Sequence, residues 1–268
     1  MTFHDWAAYF RQNQSHLDQL SWDDTYRLTD REKRQVRHSL QHFQKGESSE
    51  GKHLYQRVKD FGDADYTAAI RLFIKEEQDH ARVLGDYMEG QKIPRLRTHW
   101  LDEIFRGLRQ WATLEHTIRV LLTAEIIAAV YYKALYQATF SGLLQQICRR
   151  IIQDEEMHIN FQCFTLRHLE QGRAGLISWL IRLAYRGLMI GTTLVVWLTY
   201  HRTLRAGGFG LLAFADAVWD EFDRAQRLMT GAEPITIRGK KPEAAVRPAA
   251  STPCYATIPT FRALWTGE

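Results

Sequence analysis

Over most of this chain apolar residues recur three and four places apart, the spacing that gathers them on one face of an α-helix. Almost no β-structure is expected. Five of the six prolines (Pro234, Pro242, Pro248, Pro253 and Pro259) lie after residue 233. The sixth, Pro94, sits in a connector, so the intervening stretches carry no helix breaker of that kind. The pattern predicts a short helix over 3–19. A first long helix over 30–60 opens at a capping box in which Thr29 is followed by Glu32. Gly62 and Asp63 supply a turn and a cap for a second long helix over 64–89, which Gly90 ends. Residues 91–100 form a crossover. A third helix runs to about Ala138, with a break placed near Gly107, and Ser141 caps a fourth that reaches Gln171 and stops at Gly172. Further helices are expected over 174–205, ended by Gly207–Gly208, and over 211–229.

Two helical hairpins joined by a crossover make an all-α fold, a four-helix bundle with extra N- and C-terminal helices. Four regions follow: an N-terminal helix and connector over 1–29, the bundle over 30–172, an apolar helical extension over 173–230, and an irregular tail over 231–268, read as surface coil.

With 268 residues the chain can bury a real core. A net charge of +4, with no basic block interleaved with aromatics, leaves nucleic acid out of the expected partners. Cys148, Cys163 and Cys254 are odd in number and far apart, which argues against a disulfide framework and against a Cys-x-x-Cys metal site. The start MTFHDWAAYF lacks the basic residues and long apolar run of a signal peptide, so a reducing cytoplasm is expected.

Chemistry enters with Glu-x-x-His. Chance places roughly 0.7 such pairs in a chain with these Glu and His counts, so one match carries little weight. Three occur: Glu50/His53, Glu77/His80 and Glu155/His158. Spacing separates them. Glu47 and Glu77 lie 30 residues apart, as do Glu125 and Glu155. Each member stands about 15 residues, or roughly 22 Å, from its hairpin turn. The chain therefore presents Glu…Glu-x-x-His twice with the same internal spacing. Four carboxylates and two imidazoles suit two hard-to-borderline divalent ions such as iron or manganese, and the absence of thiolates disfavours structural zinc. The bland alternative is a solvated helix face or simple i,i+3 pairs. Glu125 weighs against it, because LLTAEIIAAVYY surrounds that carboxylate with apolar residues, and burial is costly without a partner or a metal. Glu76 and Asp154 precede the two Glu-x-x-His pairs and share a helix face with His80 and His158. Crossed hydrogen bonds, Asp154 to His80 and Glu76 to His158, would then orient the imidazoles from outside the cluster.

The words FQKGESSEG and FIKEEQDHA, with LLTAEIIAA and QDEEMHINF, resemble the hairpin motifs of the ferritin-like, rubrerythrin-like di-iron carboxylate superfamily over roughly residues 30–171. The resemblance implies two iron ions, with manganese or a mixed pair fitting the same donors. It implies Glu47, Glu77, His80, Glu125, Glu155 and His158 as ligands. The chain departs from the family in lacking cysteine pairs for a rubredoxin-like domain, and Ala128 stands where rubrerythrins carry an extra carboxylate. The pseudo-symmetric place holds Glu50, either a seventh ligand, an outer acid or a solvated residue. His53 is read as structural. Gly51, Ala128 and Ala129, with Leu122, Leu121 and Ile126 around them, are expected to leave an apolar pocket beside the metals. Tyr131, Tyr132 and Tyr55 are read as core aromatics ahead of redox relays.

Three functions follow. One is a di-iron oxidase or oxygenase that uses dioxygen on an organic, lipophilic substrate with an unknown electron donor. The others are peroxide or iron handling, and a non-catalytic helical scaffold. The uncharged run GLMIGTTLVVWLTY, residues 187–200, is too short to span a bilayer. It is read first as a buried helix, a lid or a homodimer contact, and second as a membrane-surface contact.

Overall fold

A computed structural model describes residues 1–48, 51–96, 113–170 and 175–237. These form an all-α body: α1 (Phe3–Asn13), one 3-10 turn (His16–Gln19), α2 (Asp30–Glu47), α3 (Lys52–Phe61), α4 (Ala64–Gly90), α5 (Leu114–Gln137), α6 (Gly142–Leu169), α7 (Gly175–Ala206) and α8 (Leu211–Thr230). No strand occurs among the described residues. Glu50, the break near Gly107, the stop at Gln171–Gly172 and the tail from residue 238 lie outside the described residues.

Local chemistry explains most helix ends. Thr2 with Asp5, and Thr29 with Glu32, form complete capping boxes at α1 and α2. Asp63 and Ser141 accept hydrogen bonds from Tyr66 N and Leu144 N at the starts of α4 and α6. Gly62 and Gly231 end α3 and α8 in the left-handed conformation that costs glycine nothing.

One long helix over 30–60 is not what forms. α2 stops at Glu47 and α3 starts after Gly51, whose φ of 61° is left-handed. Gly46, Ser48, Ser49 and Gly51 fall within six residues of sequence, and their weak helix propensity makes propagation poor there. Ile74 of α4 then packs against the bare Cα: a Cβ on Gly51 would lie 2.6 Å from Ile74 Cδ1. The space beside Gly51, expected to be open, is taken up by the Ile74 side chain.

α5 and α6 form the most extensive pairing, α4 packs on α1, α2 and α6, and α7 with α8 covers α5. α5 is central and buried on almost every side, with Ile126, Val130, Tyr131, Tyr132, Ala134 and Leu135 all inaccessible. A carboxylate placed halfway along it has no route to solvent along its own helix.

α7 departs from expectation in the other direction. Its apolar 18-residue window is only 17 % buried, so the reading of residues 187–200 as a buried helix is corrected. Tyr185, Met189, Val196, Tyr200 and Leu204 form one inward stripe. The remaining apolar residues point outward because the helix is apolar on both faces and only one finds a neighbour. Tyr200 interrupts the helix at φ −118°, ψ 17°. Its hydroxyl lies 3.0 Å from His42 Nδ1, and Thr203 donates to Gln35 O at 2.6 Å, tying α7 to α2.

Candidate metal centre

The two Glu-x-x-His turns lie on α4 and α6, Glu125 lies on α5, and Glu47 is the last residue of α2. Because i and i+3 share a helix face, each turn presents a carboxylate and an imidazole together. The fold brings all six residues into one cluster. Glu47, Glu77, His80 and Glu155 each offer a donor atom within 4.8 Å of one another, and so do Glu77, Glu125, Glu155 and His158. Glu77 and Glu155 belong to both groups. Except for Glu77, which is 18 % exposed, these side chains are buried.

The imidazoles are held from outside the cluster. His80 Nε2 lies 3.0 Å from Asp154 Oδ2, and His158 Nε2 lies 2.8 Å from Glu76 Oε2. These are the crossed pairs that the helical register leads one to expect. An ionised carboxylate can only accept, so each holds a proton on Nε2 and leaves Nδ1 as the nitrogen that faces inward. There His158 Nδ1 stands 3.1 Å from Glu77 Oε1 and 3.5 Å from Glu125 Oε2, and His80 Nδ1 stands 3.7 Å from Glu77 Oε1. None of these contacts is an aligned hydrogen bond. His80 Nδ1, His158 Nδ1, Glu77 Oε1 and both oxygens of Glu155 are buried without a hydrogen-bond partner. Native interiors rarely leave so many polar atoms unsatisfied in one place. All are metal-donor atoms, and all face the same small volume.

The electrostatics agree with the geometry. Burial, then the neighbouring Glu77 charge, raises Glu47 well above the ordinary carboxylate range. Burial and the Glu125 charge raise Glu77 and, more strongly, Glu155. Burial alone would raise Glu125 as well, but the neighbouring Glu155 and His158 and the Gln162 amide outweigh it and hold that carboxyl below the usual range. Burial opposes charge on His80 and His158, yet the surrounding carboxylates prevail and raise both, His158 strongly. Glu47 also ends a helix, where the backbone dipole disfavours negative charge and favours a nearby cation. Protons neutralise this cluster at a cost, and divalent cations neutralise it directly. The donor set, mostly carboxylate oxygen with two imidazoles, could hold hard-to-borderline divalent metal ions.

No protein-family model matches the chain, and no curated protein or solved structure matches it either.

Several partners escape sequence reasoning. Asn13, at the end of α1, donates to Glu76 Oε1 at 2.5 Å and to Asp154 Oδ1 at 2.8 Å, joining the two outer carboxylates. His16 follows it, with Nδ1 donating to Asn13 O at 2.7 Å and Nε2 lying 2.6 Å from Asp154 Oδ2. No spacing rule ties residues 13 and 16 to positions 76 and 154, so no local signal exists. Gln162 donates to Glu125 Oε1 at 2.9 Å, and Tyr132 donates to Glu47 Oε1 at 2.6 Å. Gln162 lies one turn beyond His158, where the helical period could have found it. A shallow depression lined by Gln14, Leu17, Lys75 and Asp79 reaches His16 and Glu76, with a cavity volume of about 10 Å³, room for about one water.

Of the expected pocket residues, Leu122, Ala128 and Ala129 are buried on α5. Tyr131 stacks on Phe43 with centroids 3.5 Å apart, which is core packing, whereas Tyr132 touches the cluster through Glu47. His53 is exposed on α3, apart from both metal-donor groups.

Proposed function

We propose that this chain is a ferritin-like di-iron carboxylate oxidoreductase that uses dioxygen to oxidise or oxygenate an organic, lipophilic substrate. The observation that carries the reading is the pair of overlapping donor groups sharing Glu77 and Glu155, whose inward nitrogen and oxygen atoms lack hydrogen-bond partners. The repeated Glu…Glu-x-x-His spacing and its resemblance to the rubrerythrin-like pattern add the choice of iron.

Glu77 and Glu155 would serve both ions, Glu47 and His80 one, Glu125 and His158 the other. Bound iron would supply the electron transfer to dioxygen that no amino-acid side chain performs. The protein's own part is positioning. Asp154 and Glu76 hold the Nε2–H of each imidazole, so both rings present Nδ1 without rearrangement. Tyr132 keeps a proton on its hydroxyl, since burial and the Glu47 charge raise its pKa well above the usual value, and it orients Glu47 as a donor. Phe73, 4.7 Å from the His158 ring, and Phe10, 6.0 Å from it, keep water from that imidazole. Glu77, the one partly exposed member, marks the side from which small reactants arrive.

Anaerobic Fe(II) titration with metal quantification tests the reading. Two irons per chain, oxidised on adding air, are expected, with fewer in Glu125→Ala. A parent chain that binds neither iron nor manganese would overturn it in favour of a scaffold. Iron that turns over peroxide but no organic substrate would shift it to peroxide handling.

A further inference from the structure

The outward face of α7 carries a feature that the metal centre does not use. Leu176, Leu180, Leu183, Ile190, Leu194 and Leu198 recur at helical spacing and are 71 %, 51 %, 52 %, 59 %, 47 % and 58 % exposed. They form one stripe about 33 Å long. Trp179, 53 % exposed, flanks it, and Leu212, 76 % exposed, follows on α8 just past the Gly207–Gly208 turn. Soluble monomers seldom show water a contiguous apolar surface of this length.

Charge chooses the occupant. From Gly175 to Ala215 the chain has no aspartate or glutamate, while Arg182, Arg186, Arg202 and Arg205 are all exposed. Two such faces would repel each other in a dimer, whereas an anionic bilayer complements both the leucines and the arginines. α7 is long and apolar enough to cross a membrane by length and composition. Its opposite face, however, is packed on the bundle through Tyr185, Met189, Val196, Tyr200 and Leu204, and Arg182 and Arg186 would fall within the hydrocarbon. Lying flat instead sinks the leucines and lets the arginine stems reach the headgroups.

We propose that α7 is an in-plane docking helix that holds this protein on the surface of an anionic lipid membrane. The proposal goes beyond the metal reading and does not depend on it.

The test is co-sedimentation of the full chain with vesicles of phosphatidylcholine alone and of phosphatidylcholine mixed with phosphatidylglycerol. The parent should bind the anionic vesicles and release them as salt rises. The double variant Ile190→Glu with Leu194→Glu should lose at least about tenfold in partitioning, because charge at an inserted position opposes burial. Both positions face solvent, so unchanged circular dichroism and melting are expected and separate lost docking from misfolding. Glu125→Ala should bind vesicles like the parent, so the metal reading and the membrane proposal fail separately. A parent chain that stays in the supernatant, or a double variant that binds as well as the parent, overturns the proposal. Equal binding to neutral and anionic vesicles overturns the anionic partner. A parent dimer that the double variant splits, without vesicle binding, assigns the face to a second copy and overturns it as well.

Discussion

The two halves of the cluster start from the same spacing and end in different surroundings. On the α5–α6 side both helices run unbroken past the site, and Glu125 and Glu155 are buried. On the α2–α4 side α2 stops at Glu47 itself, and Glu77 keeps 18 % exposure. The difference traces to equivalent positions four residues after each leading glutamate, Gly51 in one half and Ala129 in the other. Alanine continues a helix, whereas this glycine turns left-handed. A repeated donor pattern thus yields one rigid wall and one interrupted wall. The interrupted wall is where the site meets its surroundings.

The largest expected effect breaks the symmetry between shared and unshared donors. Glu77→Ala and Glu155→Ala should each abolish binding of both ions, while Glu47→Ala and Glu125→Ala should each leave one, as counted by metal quantification. If all four variants behave alike, the two-group description is wrong.

Next come the crossed carboxylates. Asp154→Asn and Glu76→Gln should weaken metal binding by about 10–100-fold, read by competition with a chelator. Asn13→Ala touches both carboxylates at once, so its loss should fall on both ions, whereas the two single carboxylate variants should each fall mainly on the ion served by the imidazole they hold.

Swapping the equivalent positions sharpens the comparison of the walls. Gly51→Ala should destabilise by about 2 kcal/mol, from the left-handed φ and the Ile74 contact. Ala129→Gly should cost about 1 kcal/mol from helix propensity. Denaturant titration measures both, and a stabilising Gly51→Ala would mean that the break is not imposed by that glycine.

The smallest expected effect is a pH dependence of the metal-free chain. Glu47, Glu77 and Glu155 have raised values in the fold, so the folded chain holds more protons than the unfolded one above the ordinary carboxylate range. Stability then falls as pH rises through that window. His80 and His158 are raised too, so their contribution is complete below the ordinary imidazole value and is lost as pH rises through the folded one. Depressed Glu125 and Asp154 act oppositely, losing their contribution only in more acid solution. The metal-free chain should therefore melt a few degrees higher at about pH 5.5 than at about pH 8, and bound metal should reverse the order.

Residue order alone carries much of this molecule. Helical periodicity, the Thr29–Glu32 box, Asp63, Ser141 and the terminal glycines define helices because those effects act within a turn or two of the backbone. The alignment of the two Glu-x-x-His turns also follows from counting, since rise per residue is nearly constant. The crossed bonds of Asp154 and Glu76 follow from register once two helices face each other. Other features belong to the tertiary structure. The stop at Glu47 needs the packing of Ile74 against Gly51 as well as weak local propensity. Asn13 and His16 meet Glu76 and Asp154 only because α1 packs along α4, across sequence separations that no local rule spans. α7 reads as apolar on every side, and its own sequence does not say which face will find a partner. That choice was made by α2, α5 and α8, which offered enough complementary surface to cover one stripe and left the other bare, because burial depends on what stands opposite a residue as well as on what the residue is.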